Sequence, residues 1–309
     1  MPAALAASSR TRLATLLLVA VTAVWGSTFF LIKDLVATVP PTDFLAVRFT
    51  IAALAMLLVF RRQVRALSTR DVGLGLGLGG LYGVAQILQT VGLAHTDASV
   101  SGFITGTYVV LTPILGAVIF RDRIPARVWV AAFLAMAGIG VLSLRGVALG
   151  TGETVTLVAA AVYALHIIGL GRYARAESAV GLATVQAVTV AVICLVAAAP
   201  DGITVPASGG GWASVVYMAL VAGAFALWAQ TWAQSYLTAA RAAIVMSLEP
   251  VFAALFAVVL GGESLTARML LGGSLVVAAM YLIELAPRRR SEATAVEDPP
   301  AEILHHDAP

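Results

Sequence analysis

The sequence predicts an all-α membrane protein in which ten transmembrane helices form two inverted five-helix repeats, with both termini in the cytoplasm. Three observations predict this class: an apolar composition, ten separate apolar segments, and short motifs that recur at a spacing of about 140 residues. Of the 309 residues, 60% are hydrophobic and 11% are charged, whereas roughly 25% are charged in a soluble domain. This composition excludes an ordinary soluble enzyme, a disordered chain and a nucleic-acid-binding protein.

Each predicted span is long enough to cross a bilayer, because about 20 helical residues cover ~30 Å of hydrocarbon. The spans lie near 13–33, 42–60, 72–94, 98–120, 126–145, 152–172, 180–199, 212–236, 241–261 and 267–285. The predicted units are a cytoplasmic tail (1–12), a first repeat (13–145), a second repeat (151–285) and a disordered acidic cytoplasmic tail (286–309). The single cysteine, Cys194, lies in an apolar run, which argues against a disulfide framework or a thiolate metal site.

Positive charges alternate between the two ends of the spans. With a cytoplasmic N-terminus, 15 Lys and Arg residues fall on the inner side, and Lys33, Arg145 and Arg268 fall on the outer side. An excess of positive charge marks the cytoplasmic side of a membrane protein. We therefore predict a multi-pass protein of the cell (inner or plasma) membrane with both termini inside.

Short motifs of the first half recur in the second half. Residues 23–25 (Ala-Val-Trp) recur as 161–163 (Ala-Val-Tyr), and Arg48 falls opposite Gln186, both at an offset of 138 residues. Each half has five spans, and an odd number inverts the second half relative to the first. Two inverted halves can open alternately to either side of the membrane around a site at their interface. The repeat therefore favours an alternating-access carrier over a channel or a membrane enzyme.

Polar and aromatic residues within the spans are candidates for lining a cavity, because polar groups in a bilayer usually face the bundle interior. Helical spacing places Tyr82 and Gln86 on one face of span three, and Tyr163 and His166 on one face of span six. Such a lining suits an amphiphilic organic solute, although the same groups could simply bond neighbouring helices. The candidate solute-binding residues are Trp25, Tyr82, Gln86, Thr105, Tyr108, Tyr163, His166, Trp228 and Gln230.

Glu249 is a candidate coupling or gating residue, together with Pro250. Glu249 lies about eight residues inside span nine, and the adjacent proline removes a backbone donor and frees the carbonyl of Met246. A carboxyl at this depth could exchange protons or bind a substrate amine. The alternatives are a structural hydrogen bond to a neighbouring helix and an ion pair with Arg241. For His166, a packing role through a hydrogen bond and a role in proton or solute transfer are both open.

Three other charged residues are candidates for coupling or gating. Arg48 lies about seven residues into span two, where it could bind a substrate carboxylate, reach the outer surface along its aliphatic stem, or pair with Asp43. Lys33 and Glu263 lie near span ends, where they could pair as an outer gate or remain solvated.

The letters Gly75-x-Gly77-x-x-Gly80 fit a dinucleotide-binding fingerprint. That fingerprint needs a preceding strand, and these glycines lie within span three. Pairs such as Gly75 and Gly79 instead predict close packing of helices.

Several short motifs resemble those of the EamA-like family of the drug/metabolite transporter superfamily, over about residues 13–285. They are Trp25-Gly26-Ser27 through Lys33, Arg48-Phe49, Gly92-Leu93 before Thr96, Thr112-Pro113, and Ser247-Leu248-Glu249-Pro250-Val251-Phe252 followed by Gly262-Glu263. The resemblance implies ten helices in two inverted repeats and the transport of amino acids, metabolites or drugs. In such proteins the Glu-Pro pair is common across unlike substrates, which favours a structural or gating role for Glu249.

The predicted function is therefore transport, with efflux of small organic solutes such as amino acids or related metabolites. Proton coupling and a homodimer are options that the sequence leaves open, and no cofactor, metal or nucleic acid is implied. One alternative is an antiporter of sugar phosphates or nucleotide sugars, which would favour clustered basic residues at mid-membrane, and no Lys or Arg lies at the centre of a span. An intramembrane enzyme or a non-transporting membrane protein are the remaining alternatives.

Overall fold

The computed structural model describes residues 2–121, 126–143, 150–237, 242, 245–246 and 248–284. Within this part of the chain the regular structure is entirely helical. The predicted tail 286–309 and the residue Arg241 lie outside the described residues. The predicted tail 1–12 is, from residue 2 onward, a continuation of the first helix.

Twelve α-helices are described, and we number them in chain order. They are α1 Pro2–Val36, α2 Pro41–Arg65, α3 Thr69–Ala94, α4 Ala98–Gly106, α5 Tyr108–Phe120, α6 Ala126–Ser143, α7 Thr151–Tyr173, α8 Ala179–Ala198, α9 Gly209–Ala219, α10 Ala226–Gln234, α11 Glu249–Val259 and α12 Ala267–Glu284. A π-helical segment, Leu220–Phe225, joins α9 to α10, and a short 3₁₀ turn, Ala199–Asp201, follows α8.

Seven described helical segments are long and apolar enough to cross a membrane. They are Arg10–Val36, Pro41–Arg65, Thr69–Ala94, Ala98–Phe120, Thr151–Tyr173, Ala179–Ala198 and Gly209–Gln234. Three shorter apolar helices, Ala126–Leu142, Glu249–Val259 and Ala267–Leu282, lie where the sequence predicts the fifth, ninth and tenth spans. Parts of those three predicted spans fall outside the described residues, so the long described spans number seven rather than ten.

Local sequence signals explain several helix boundaries. Pro41 occupies the first turn of α2, where its missing N–H costs no hydrogen bond. The side chains of Ser68 and Ser208 cap α3 and α9, and each accepts a hydrogen bond of 3.1 Å from a backbone N–H three residues later. At the C-terminal end of α5, Arg121 adopts a left-handed conformation with φ of 58°, and the helix ends there.

The eighth predicted span is interrupted by the π-helical segment Leu220–Phe225. Turns of this kind alter the regular hydrogen bonding of the helix backbone and occur often at functional sites. Two carbonyls in or just before this segment accept side-chain hydrogen bonds from the first two helices: that of Met218, at the end of α9, from Arg48, and that of Ala222 from Trp25. The interruption therefore supplies backbone acceptors to the interior of the bundle.

Glycines permit close contact at several helix crossings. A Cβ on Gly79 of α3 would lie 2.7 Å from Thr189 Cβ of α8, and a Cβ on Gly75 would lie 2.7 Å from Val185. The predicted packing role of these two glycines is thus confirmed. On α1, a Cβ on Gly26 would lie 2.5 Å from Phe252 Cβ of α11. These contacts bring helices from both halves of the chain around one interior space.

Candidate functional site

A polar cavity lies between helices of both halves of the chain. The space open to the centres of water molecules is about 40 Å³, which is room for a few waters. Side chains from α1, α2, α3, α4, α5, α7, α10, α11 and the segment before α11 surround it. The lining residues are Trp25, Thr28, Phe29, Ile32, Arg48, Tyr82, Gln86, Gln89, Thr105, Tyr108, Tyr163, His166, Ile167, Gln230, Met246 and Glu249.

Most of the residues singled out in the sequence meet at this cavity. Every candidate solute-binding residue lines it except Trp228, and two of the candidate coupling residues, Arg48 and Glu249, line it as well. Pro250 lies just behind the wall, where its ring approaches Gly106. Lys33 and Glu263 lie elsewhere, at the end of the bundle that the charge pattern assigns to the outside.

Arg48 is fully enclosed, with 2% of its surface exposed. Its Nε donates to the Met218 carbonyl at 3.1 Å, and its Nη1 donates to Gln86 Oε1 at 3.4 Å. The guanidinium also lies 5.0 Å from the centre of the Phe49 ring, a favourable cation–π distance. The expectations that Arg48 reaches the surface or pairs with Asp43 are therefore wrong.

Asp43 has a different partner, because its Oδ2 accepts a hydrogen bond of 2.9 Å from the backbone N–H of Thr204. Across the described residues, no carboxylate forms an ion pair with Arg48. A buried cation without an acid partner is costly, so the carbonyl, amide and aromatic contacts of Arg48 only partly replace its hydration.

A chain of hydrogen bonds connects three helices along one wall. The Tyr163 hydroxyl donates to Gln89 Oε1 at 2.8 Å, and Gln89 Nε2 donates to Thr105 Oγ1 at 3.1 Å. These bonds tie α7, α3 and α4 together. Gln89 is the main site residue that the candidate set omits, although it lies three residues after Gln86 on the same helical face.

His166 bonds the helix that follows it. Its Nε2 lies 2.8 Å from Gln186 Oε1, and because an amide oxygen only accepts, Nε2 carries the hydrogen. Its ring centre lies 5.1 Å from that of Tyr82, which in turn is 6.1 Å from the Phe49 ring in an edge-to-face arrangement. His166 thus combines a packing hydrogen bond with a place on the cavity wall.

Glu249 contacts Tyr108 across the cavity. The Tyr108 hydroxyl lies 2.9 Å from Glu249 Oε2 and 3.0 Å from the carbonyl oxygen of Met246. Pro250 has no N–H that could donate to the Met246 carbonyl. The Tyr108 hydroxyl donates to this carbonyl in its place. The expected hydrogen bond from Glu249 to a neighbouring helix is present.

The two candidate tryptophans have different environments. Trp25 Nε1 donates to the Ala222 carbonyl at 2.9 Å, and the indole lines the cavity. Trp228 instead packs against Phe225, with ring centres 5.8 Å apart. Trp228 and Gln230 are two residues apart and therefore lie on different sides of their helix, and only Gln230 lines the cavity. Placing Trp228 in the cavity wall is therefore wrong.

Lys33 and Glu263, which lie away from the cavity, bind the connection between α3 and α4. Lys33 Nζ donates to the carbonyls of Leu93, Ala94 and Thr96 at 3.1, 3.3 and 2.6 Å. Glu263 Oε1 accepts from the backbone N–H of Ala98 at 2.7 Å.

Neither of the two alternatives, a Lys33–Glu263 pair or two solvated charges, describes these side chains, because both bind backbone groups of this connection. Glu153 joins them from α7, where its Oε1 accepts from the Thr96 hydroxyl at 3.0 Å. We call Lys33, Glu153, Glu263 and residues 93–99 the end clamp.

These features define a class of protein: an all-helical, multi-pass membrane protein with a polar cavity between its halves. The sequence pattern of the EamA-like transporter family matches this chain twice, over residues 12–144 and 150–285. The chain therefore belongs to the EamA-like transporter family. Membrane transport is the activity that this membership assigns, and the resemblance drawn from the short motifs is confirmed.

Two further comparisons agree with this assignment. A protein of Archaeoglobus fulgidus described as an uncharacterized transporter is 31% identical over 266 residues, which are 85% of this chain and 82% of that protein. A solved crystal structure of a protein matches with a TM-score of 0.63 and 20% identity, over 88% of this chain and 96% of that chain. The second match shows a shared fold and carries no further information on activity.

Proposed function

We propose that this protein exports small organic solutes, such as amino acids or related metabolites, across the cell membrane by alternating access. The observation that carries the proposal is the polar cavity, which helices of both halves surround and whose lining, among the described residues, includes one cation, Arg48, and one carboxyl group, Glu249. A site at the interface of two repeats is the expected place for a carrier's substrate.

The packing of the helices supports ten spans in two inverted repeats. We pair α1 with α7, α2 with α8, α3 with the α9–α10 span, the α4–α5 span with α11, and α6 with α12. When each helix is exchanged for its counterpart, the α2–α8 contact maps onto itself, and so does the α6–α12 contact. The α3–α7 contact maps onto the contact of α1 with α10. Likewise α1–α11 is related to α5–α7, and α3–α8 to α2–α9. Such correspondence is expected of a two-fold relation between halves.

The end clamp supports a state that is closed toward the outside. Three charged side chains from separate elements bind residues 93–99 there. The cavity also has room for only a few waters in this state. Binding of an organic solute therefore requires the helices to separate, which is what alternating access supplies.

The charges of the cavity support a solute with both a carboxylate and an amine. Arg48 can bind a carboxylate through N–H groups that its contacts with Met218 and Gln86 leave unused. Glu249 can bind an amine. Among the described lining residues Arg48 is the one arginine or lysine, which fits amino acids better than sugar phosphates or nucleotide sugars, whose charge favours several basic groups.

Flux measurements in proteoliposomes test the proposal. A panel of amino acids, amines and nucleosides is offered with and without a pH gradient, and we expect saturable flux of at least one group. Absence of flux for every member would overturn the carrier proposal.

Proton coupling is tested by the Glu249→Gln variant, in which the side chain keeps its shape and loses its exchangeable carboxyl proton. We expect the variant to exchange solute across the membrane while losing accumulation driven by the pH gradient. Accumulation equal to that of the unmodified protein would exclude Glu249 as the coupling group.

A further inference from the structure

We infer that the side-chain carbonyl oxygen of Gln230 selects the solute by accepting a hydrogen bond from a solute N–H group. This inference rests on the proposed transport function and names the chemistry that the α10 side of the cavity recognises. Gln230 lines the cavity and has 2% of its surface exposed. Its Oε1 is buried and, within the described part of the protein, has no hydrogen-bond partner.

The amide oxygens of the other two glutamines of the cavity already accept hydrogen bonds from side chains of other helices. Gln86 Oε1 accepts from Arg48, and Gln89 Oε1 accepts from the Tyr163 hydroxyl. Gln89 also donates to Thr105. Two of the three amides are thus already engaged in joining helices, which leaves Gln230 as the amide available to a solute.

A buried acceptor without a donor is destabilising, because the hydrogen bond that it made to water is not replaced. The amide nitrogen of Gln230 has only a distant contact, 3.9 Å from Met246 Sδ. This weak contact does not offset the unpaired oxygen. Because Gln230 lines the cavity, a solute there can supply the missing donor.

The neighbourhood of Gln230 points to an amine as the donor. Met246, which Gln230 contacts, lies one helical turn before Glu249, and all three residues line the cavity. An amide oxygen and a carboxyl group are both acceptors, and together they suit an ammonium or amine that carries several N–H donors. A neutral hydroxyl would use only one of them.

The test compares solutes that differ only in their N–H groups. Leucine and phenylalanine are each paired with their N-trimethyl betaines, which keep the charges and lack N–H donors. Transport competition in proteoliposomes and thermal stabilisation of the detergent-solubilised protein are both measured. We expect Gln230→Leu to reduce the preference for the amino acid over its betaine by about tenfold, the loss of one hydrogen bond.

Gln234 provides a matched control. It lies one turn further along α10, has 2% of its surface exposed, and has neither amide atom paired in the described structure. It does not line the cavity, so we expect Gln234→Leu to leave the preference unchanged. Gln230→Met, which keeps the length of the side chain, serves as a second variant if Gln230→Leu folds poorly.

The outcomes separate this inference from the proposed function. An unchanged preference in both Gln230 variants, or an equal loss in Gln234→Leu, would overturn the inference while transport stands. A preference in binding that Gln230 variants abolish, without any flux, would support the inference and overturn the transport proposal. No binding and no flux for any amino acid would overturn both.

Discussion

At the scale of single residues, Tyr108 has one hydroxyl hydrogen and two acceptors within 3.0 Å. If Glu249 is protonated, its own O–H donates to the Tyr108 oxygen, and the tyrosine hydrogen goes to the Met246 carbonyl. If Glu249 is ionised, the tyrosine hydrogen turns to the carboxylate, and the carbonyl freed by Pro250 loses its donor. The protonation state of Glu249 is therefore linked to the backbone at the break before α11.

We predict that Tyr108→Phe weakens this link. The variant removes the shared hydroxyl, so about 1 kcal/mol of hydrogen-bond free energy is lost and Glu249 no longer exchanges partners with the helix break. Solute accumulation driven by a pH gradient should fall several-fold, while exchange without a gradient changes less. Both are measured in proteoliposomes.

Tyr281→Phe is the matched control for Tyr108→Phe, because Tyr281 lies on α12, is 39% exposed and lies outside the cavity. The control should behave like the unmodified protein. If Tyr108→Phe also accumulates solute normally, Tyr108 has no part in coupling.

At the scale of helices, α6 and α12 cross through two glycines. A Cβ on Gly138 would lie 2.7 Å from the Gly272 carbonyl oxygen, and a Cβ on Gly272 would lie 2.8 Å from the Gly138 carbonyl oxygen. Each helix therefore approaches the other's backbone directly, as small residues permit in membranes. A larger residue at either position would force the two helices apart.

We predict that Gly138→Ala destabilises the protein by about 1–3 kcal/mol, the usual cost of overpacking. Gly77→Ala is the control, since a Cβ there meets nothing within 4 Å and alanine favours a helix over glycine. Unfolding of the purified protein in detergent, by heat or by denaturant, measures both variants. Equal stability of the two would show that the α6–α12 contact relaxes freely.

Helical spacing predicted which residues share a face, and it could not always predict what that face meets. The spacing of Tyr82 and Gln86 predicts a shared face, because i and i+4 are adjacent on any helix, and both side chains line the cavity. Gln230 and Trp228 are two residues apart and so lie on different faces of a helix, but which of the two faces the cavity depends on how α10 is oriented after the π-helical segment. The amino-acid sequence of residues 220–225 contains no signal that predicts the π-helical segment.

The sequence also could not predict which charged side chains hydrogen-bond to the backbone. The sequence leaves open whether Lys33 and Glu263 pair as an outer gate or remain solvated, yet their partners are carbonyls and N–H groups of the 93–99 connection. Every residue has such groups, so sequence does not distinguish them. The composition, the apolar segments and the family motifs, in contrast, identified a helical membrane transporter without the structure.

At the scale of the whole molecule, the end clamp and the cavity lie in series along the bundle. Ile32 lines the cavity, and the next residue, Lys33, holds the end clamp. Opening toward the side of the clamp requires residues 93–99 to leave Lys33, Glu153 and Glu263. In the proposed alternating-access cycle, the strength of these contacts would set how much of the outward-open state is populated.

We predict that Lys33→Met shifts the protein toward the outward-open state. Lysine donates to three carbonyls, and loss of about 1–2 kcal/mol of charged hydrogen bonding corresponds to a change of about five- to thirtyfold in population. In a Cys194→Ser background, Ile32→Cys reports access from outside through its labelling rate with a membrane-impermeant thiol reagent. Asp34→Asn, a charge removal at the exposed neighbouring position, should leave that rate unchanged. A labelling rate that Lys33→Met does not raise would show that the clamp does not control access to the cavity.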